Sequence, residues 1–387
     1  SYLLKRELLG LWLRSNCRVW PQYQNSFHLP KSIRSEADSR QQISSRLQTT
    51  MRSINGIRLR EDVLAELTSR HLPLCFVEGY KSLIAFSEEL YPRIPRGIFT
   101  THASFYDEAF KHWAGRSCEK GTRLLLGQHG GNGRHSEFEP VIEHEHAIAD
   151  TYMSWGSPEN KREGNERFVP PLNFIGLTPH ESINATQGVL FGATHVGRFF
   201  HTLIPLLSPQ RFETYLVRQR DFTRALNPKI KCALTIRTLH DYFGWDIRDR
   251  WAEHCPEAAI DQGEVPFLQA LKSNRLYVCD HLMTTYLEAL RVNIPTVLYW
   301  DEGDYVLPPE STKAFKLLRE VGILHASAEA AAQTINAIYD DIATWWQEPA
   351  RQIAKNSFLA IYGGSVADPI ELWKNEILLS VDQKPRH

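Results

Sequence analysis

The stretch RLYVCDHLMTTYLEALRVNIPTVLYW (275–300) reads as strand, helix, strand. An apolar run ends at Asp280-His281, Thr284 and Thr285 open an apolar helix, and PTVLYW (295–300) returns as a second run. Short β-type runs separated by helical spacing are the mark of a parallel sheet. Further runs repeat the pattern. GIFTTHA (97–103) and TRLLLGQHG (122–130) flank SFYDEAFKHWAGR, where Phe105, Phe110 and Trp113 keep helical spacing. LCFVEG (74–79), LNFIGL (172–177), GVLFGATH (188–195) and KCALTIRTL (231–239) complete the series.

The expected fold is α/β with two Rossmann-like domains. Residues 1–183 form the first, with a helical N-terminal extension on the acceptor side. Residues 184–387 form the second, whose last helix (DPIELWKNEILLSV, 368–381) crosses back to the first. TPHESINATQ (178–187) reads as the linker, and GSPENKREGNE (156–166) as a mobile polar loop. A chain of 387 residues suits two domains of ordinary size.

Composition excludes several classes. Lys+Arg (44) and Asp+Glu (45) nearly cancel, so no polybasic nucleic-acid surface is expected. No run reaches the ~18 apolar residues of a membrane span. The opening SYLLKRELLGLWLRSN is too polar for a secretory signal and has the periodicity of an amphipathic helix. Six cysteines without any CxxC fit reduced thiols in a cytoplasm.

In open α/β sheets ligands bind beyond the carboxyl ends of the strands. The residues following the runs are therefore the site candidates: Gln128-His129-Gly130-Gly131, Thr194 to Arg198, His240-Asp241, Asp280-His281 and Asp301-Glu302. The glycines after Leu126 permit close backbone approach to a ligand, but GxGxxG and GxxxxGK[ST] are absent. His144 and His146, flanked by Glu143 and Glu145, leave three readings open. They are a metal site, acid/base work by Glu143, Glu145 or Asp150, and a solvated helix start. On a helix, residues i and i+2 point about 200° apart, and HExxH is missing, so no metal is expected. Thr284 and Thr285 at a helix start suit a phosphate, with Glu288 one turn on for ribose hydroxyls; the rival reading is simple capping. Arg198 suits a substrate carboxylate or a structural ion pair. Ile230, Cys232, Leu234 and Ile236 alternate as a strand face that leads to Arg237, His240 and Asp241. Cys232 there reads most simply as a small buried residue, and Asp221 and Asp241 are the nearby carboxylates.

The blocks LLLGQHGGNG…TYMSWG, RTLHDYFGWD, HLMTTYLEALRVNIPTVLYW and GILHASAEAAAQ before WW resemble a family of bacterial surface-polysaccharide transferases. The nearest pattern is the retaining β-Kdo glycosyltransferase domain of lipopolysaccharide O-antigen synthases, over about residues 100–380. The resemblance implies a modified B-type glycosyltransferase architecture, CMP-β-Kdo as donor and the non-reducing end of a glycan as acceptor. It implies retention through a covalent sugar adduct and no metal or other cofactor. By position, His281, Thr284 and Thr285 would meet the CMP phosphate, with Glu288 near the nucleoside. Arg198 and Arg237 would meet the Kdo carboxylate, and Glu143, Glu145 or Asp150 would serve as acid/base. The nucleophile stays open between Asp221, Cys232 and Asp241. A peripheral position at the inner membrane, within a larger synthase, is the accompanying expectation. The alternatives are another nucleotide-dependent transferase of the same biosynthesis or a non-catalytic glycan-binding domain.

Overall fold

The computed structural model describes residues 5–16, 18–19, 28, 30–52, 61–131, 133, 135, 137, 139–156, 164–179, 188–194, 196–199, 208–238, 243–364 and 366–383. The expected boundary at 183/184, the centre of the 156–166 loop, His240 and Asp241 lie outside the described residues. The chain divides into two compact units. The larger comprises Ser1–Val19 and Gly127–Leu379, the smaller Trp20–Leu126 and Ser380–His387.

Among the described residues there are ten strands, most of them separated by helices: β1 (Gly97–Thr100), β2 (Arg123–Gly127), β3 (Thr151–Trp155), β4 (Glu166–Val169), β5 (Val189–Gly192), β6 (Leu234–Arg237), β7 (Ala259–Asp261), β8 (Leu276–Cys279), β9 (Thr296–Tyr299) and β10 (Leu324–His325). The strands pair in parallel: β1 with β2 from Gly97↔Arg123, β3 with β4 from Tyr152↔Glu166, and likewise within a six-stranded sheet. The α/β class with Rossmann-like parallel sheets is therefore what the sequence predicted.

In the smaller unit, the helix Glu108–Cys118 makes the crossover between β1 and β2. Asp107 caps it by accepting from Phe110 N–H at 3.0 Å, and Ala109, Phe110 and Ala114 form its buried face. Arg40 and Glu78 make a buried ion pair at 2.8 Å between the helix Ala37–Arg52 and the turn before Tyr80–Leu90.

In the larger unit, the sheet order is β10-β9-β8-β5-β6-β7. Renumbered from its first strand, this is the 3-2-1-4-5-6 order of the doubly wound fold, and the reversal falls between β5 and β8. Both central strands are wholly buried, as a sheet covered on two faces requires. Tyr277, Tyr286, Leu287 and Trp346 pack on one face; Phe191, Phe222, Trp251 and Tyr299 pack on the other.

Three local expectations are corrected. LCFVEG and LNFIGL are not strands but 3-10 turns, Leu74–Phe76 and Leu172–Phe174. Each follows a proline (Pro73, Pro171) that lacks an N–H for a sheet ladder. Cys232 is not on a strand. Asn227-Pro228 starts a short helix, Pro228–Lys231, because proline is pre-set for the first helical position, and β6 begins only at Leu234. Cys232 is exposed rather than buried and sits at the amino end of β6, away from the carboxyl ends.

Candidate active site

The crevice between β5 and β8 is where a doubly wound sheet binds its ligand. The strand exits there are tied together by polar side chains. Asp280, fully buried just past β8, accepts from Tyr215 Oη at 2.8 Å and from Gln219 Nε2 at 2.8 Å. Tyr215 Oη in turn accepts from the Thr194 N–H, just past β5, at 3.0 Å. Burial pushes the Asp280 carboxyl up to about 7 against the opposing pull of these donors. His281 is also buried; its Nδ1 accepts from Met283 N–H at 3.2 Å, and the ring hydrogen-bonds the Gly192 backbone. Burial holds this imidazole down at about 4, so it is neutral at physiological pH and works as a hydrogen-bonding post rather than a cation.

The GQHGG loop docks on the same place. Gln128 is clamped by its own surroundings: Nε2 donates to Gly130 O at 2.7 Å, and Oε1 accepts from Trp155 N–H at 2.9 Å. Gly131 N–H then donates to Thr284 Oγ1 at 2.9 Å. A Cβ on Gly131 would lie 2.7 Å from Met283 O, so glycine is what lets the two backbones meet. Thr285 Oγ1 accepts from Tyr277 Oη at 2.7 Å. One turn on, Glu288 Oε1 accepts from Asn173 Nδ2 at 2.7 Å, and burial raises its carboxyl to about 7. Thus Gln128, Gly130, Gly131, His281, Thr284, Thr285 and Glu288 gather in one region, with His129 half-buried in the same loop.

The remaining candidates make contacts of their own, and of them Arg237 lies opposite Gly192 at the carboxyl end of β5. Arg198 is exposed, donates to Gly244 O at 3.2 Å and lies over the Trp245 ring at 5.6 Å. Arg237, at the end of β6, forms a close ion pair with Asp261 at the end of β7 and lies over Phe267 at 5.7 Å. Asp221 is half-buried on the helix Pro209–Ala225 and pairs with Arg224 at 3.7 Å. On the helix Pro140–Ile148, Glu143 and His144 are exposed, whereas Glu145 is buried beside Tyr152; Asp150 follows half-buried. The His146 ring lies tilted against Tyr152, ring centroids 4.0 Å apart. Among the described residues no group of three or more His, Cys, Asp or Glu is arranged to hold a metal.

Tyr215 and Gln219, the partners of Asp280, escaped the sequence reading, as did Asn173 and Glu139. Asn173 lay inside an apolar run mistaken for a strand. Glu139, buried before Pro140, has its carboxyl raised to about 8 by burial and by Glu143. Nothing in the local sequence marked it as buried.

Among solved structures, the chain is similar to S. aureus MnaA in complex with UDP (12% identity, TM-score 0.47, 79% of this chain and 82% of that one). It is also similar to Anabaena HepE in complex with UDP-glucose (12%, 0.45, 91% and 98%). A third likeness is to the spinosyn rhamnosyltransferase SpnG with spinosyn aglycone (14%, 0.40, 88% and 82%). No curated protein matches the chain. Among the described residues no helix is long and apolar enough to cross a membrane. Residues 1–377 match the model of the LIC12162 family transferase, and the chain belongs to that transferase family.

Proposed function

We propose that this transferase is a glycosyltransferase that moves β-Kdo from CMP-β-Kdo to the non-reducing end of a bacterial surface glycan, with retention. One observation carries the reading. Two of the sequence blocks that carry the resemblance, those with GQHGG and TTYLE, lie about 150 residues apart in the chain and are hydrogen-bonded through Gly131 and Thr284, beyond the strands that flank the sheet's reversal. A switch point is where this fold takes a nucleotide. Thr284 accepts from Gly131 and keeps its own hydroxyl proton to donate to a phosphate oxygen. Glu288 is an acceptor within the same region, suited to sugar hydroxyls.

Retention calls for two displacements. A carboxylate oxygen bonds to the anomeric carbon while the C–O bond to phosphate breaks and its electron pair leaves with CMP. An acceptor hydroxyl, losing its proton to a base, then displaces the carboxylate. Asp221 and Asp241 are the carboxylates offered for the first step, since Cys232 stands at the amino end of β6. Glu143 and Asp150 retain the solvent access that a base for an incoming acceptor needs. The donor and an acceptor glycan are the partners in this reading, with a peripheral place at the inner membrane in a larger synthase.

A thermal-shift panel tests it. CMP at about 100 times its Kd should stabilise the chain by about 2.7 kcal/mol, while NAD and ATP leave it unchanged. A shift with uridine nucleotides alone overturns the CMP donor; no shift with any nucleotide overturns the whole reading.

A further inference from the structure

The pair Asn173–Glu288 joins the exits of two strands, β4 and β8. Pro170-Pro171 ends the extended chain after β4 and sets the turn Leu172–Phe174. That turn is pinned on either side. Trp373 Nε1 donates to Pro170 O at 2.9 Å, and Phe174 is buried against Trp155, ring centroids 6.0 Å apart. The Asn173 amide is therefore held on a rigid support. Its Nδ2 donates to Glu288 Oε1 at 2.7 Å. Its Oδ1 is buried and accepts no hydrogen bond among the described residues. Turning the amide over would set its carbonyl against the carboxylate and leave Nδ2 as the orphan, so the carboxylate fixes the orientation. Buried polar atoms without partners are uncommon and call for an explanation.

Asn173 Oδ1, without a hydrogen bond among the described residues, and the Glu288 carboxylate are thus acceptors within one hydrogen-bonded pair. Their chemical complement is a pair of adjacent donors on one ligand, which a vicinal diol supplies. We propose that Asn173 is the residue that selects ribose over deoxyribose in the donor nucleotide. It holds the Glu288 carboxylate in place for one hydroxyl and offers Oδ1 to the neighbouring one. The inference rests on the nucleotide-sugar reading of the site and adds a specificity residue to it.

Calorimetric Kd values for CMP and 2′-deoxy-CMP test it, on the wild type, Asn173→Ala, Asn173→Asp and Glu288→Gln. A hydrogen bond to a charged group corresponds to about tenfold or more in affinity, so the wild type should favour CMP by at least that factor. Asn173→Ala should lose about tenfold for CMP and little for 2′-deoxy-CMP, bringing their ratio towards one. Glu288→Gln should do the same, and Asn173→Asp, which sets two carboxylates together, should weaken CMP further. Equal weakening of both ligands in Asn173→Ala would mean a merely structural role and overturn the proposal, as would unchanged binding. Should Asn173→Ala fail to fold, Asn173→Ser reads the same ratio. If only uridine nucleotides bind the wild type, the CMP donor fails while UMP and 2′-deoxy-UMP decide the role of Asn173. If no nucleotide binds, both fall.

Discussion

The backbone N–H of Gly131 donates to the side-chain oxygen of Thr284 at 2.9 Å. This bond holds the glycine loop after β2 against the start of the helix after β8. The space is too tight for a side chain, since a Cβ at 131 would stand 2.7 Å from Met283 O and 2.9 Å from Thr284 Cα, both backbone atoms. Gly131→Ala should destabilise the chain by about 1–3 kcal/mol in urea denaturation and weaken nucleotide binding together. Thr284→Val removes the acceptor but keeps the shape; its cost, again about 1–3 kcal/mol, is that of an orphaned amide. A Gly131→Ala variant as stable as the wild type would contradict this packing.

Gly192 and Tyr277 meet in the same way, across β5 and β8. A Cβ on Gly192 would collide with the Tyr277 hydroxyl. Gly192→Ala alone should cost about 1–3 kcal/mol. Combined with Tyr277→Phe, which removes the clashing oxygen, it should cost less than the sum of the two single changes. Additive costs in a double-mutant cycle would show that the two residues do not touch.

Stability should depend on pH through Asp280. The unfolded carboxyl loses its proton near 3.8, whereas the folded one keeps it to about 7. Between those values the folded state binds more protons, so stability is full below the lower pH and falls as pH rises through about 7. For this one group the loss is on the order of 4 kcal/mol. Glu139 and Glu288, raised to about 8 and about 7, act in the same direction. Asp280→Asn should flatten the profile between pH 4 and 7, because Gln219 can turn its amide to face the new side chain. Denaturation curves at pH 5 and pH 8 measure the difference; an equally steep profile in the variant would rule Asp280 out as its source.

Cys232→Ser should change stability by less than about 0.5 kcal/mol and leave turnover of the donor intact, because the thiol is exposed at the amino end of β6. Loss of turnover in this variant, with the fold preserved, would reinstate the cysteine as a catalytic group.

The sequence was legible wherever apolar runs were long and bounded by turns. β1, β2, β5, β6, β8 and β9 lie within the runs picked out, and the closing helix Pro369–Asp382 was recognised from its amphipathic spacing. β7 and β10 went unseen because they are edge strands of three and two residues, too short to show a period. The strand pattern through Cys232 misled because Ile230 is buried from a helical turn, where burial follows a different spacing. Of the site, the glycine loop and the Thr284–Glu288 turn could be placed because both follow strands. Asn173 could not, since its importance lies in a partner 115 residues away. Arg237 was read only as a partner for the Kdo carboxylate; its pairing with Asp261 could not be foreseen, because only the β6–β7 register brings the two opposite each other.

Hydrogen-exchange mass spectrometry with and without CMP puts the central claim to the most direct test. The account predicts that CMP slows exchange in two separate peptides, one covering Gln128–Gly131 and one covering His281–Glu288, with the rest of the larger unit little changed. Slowed exchange confined to other peptides, or none at saturating CMP, would contradict it.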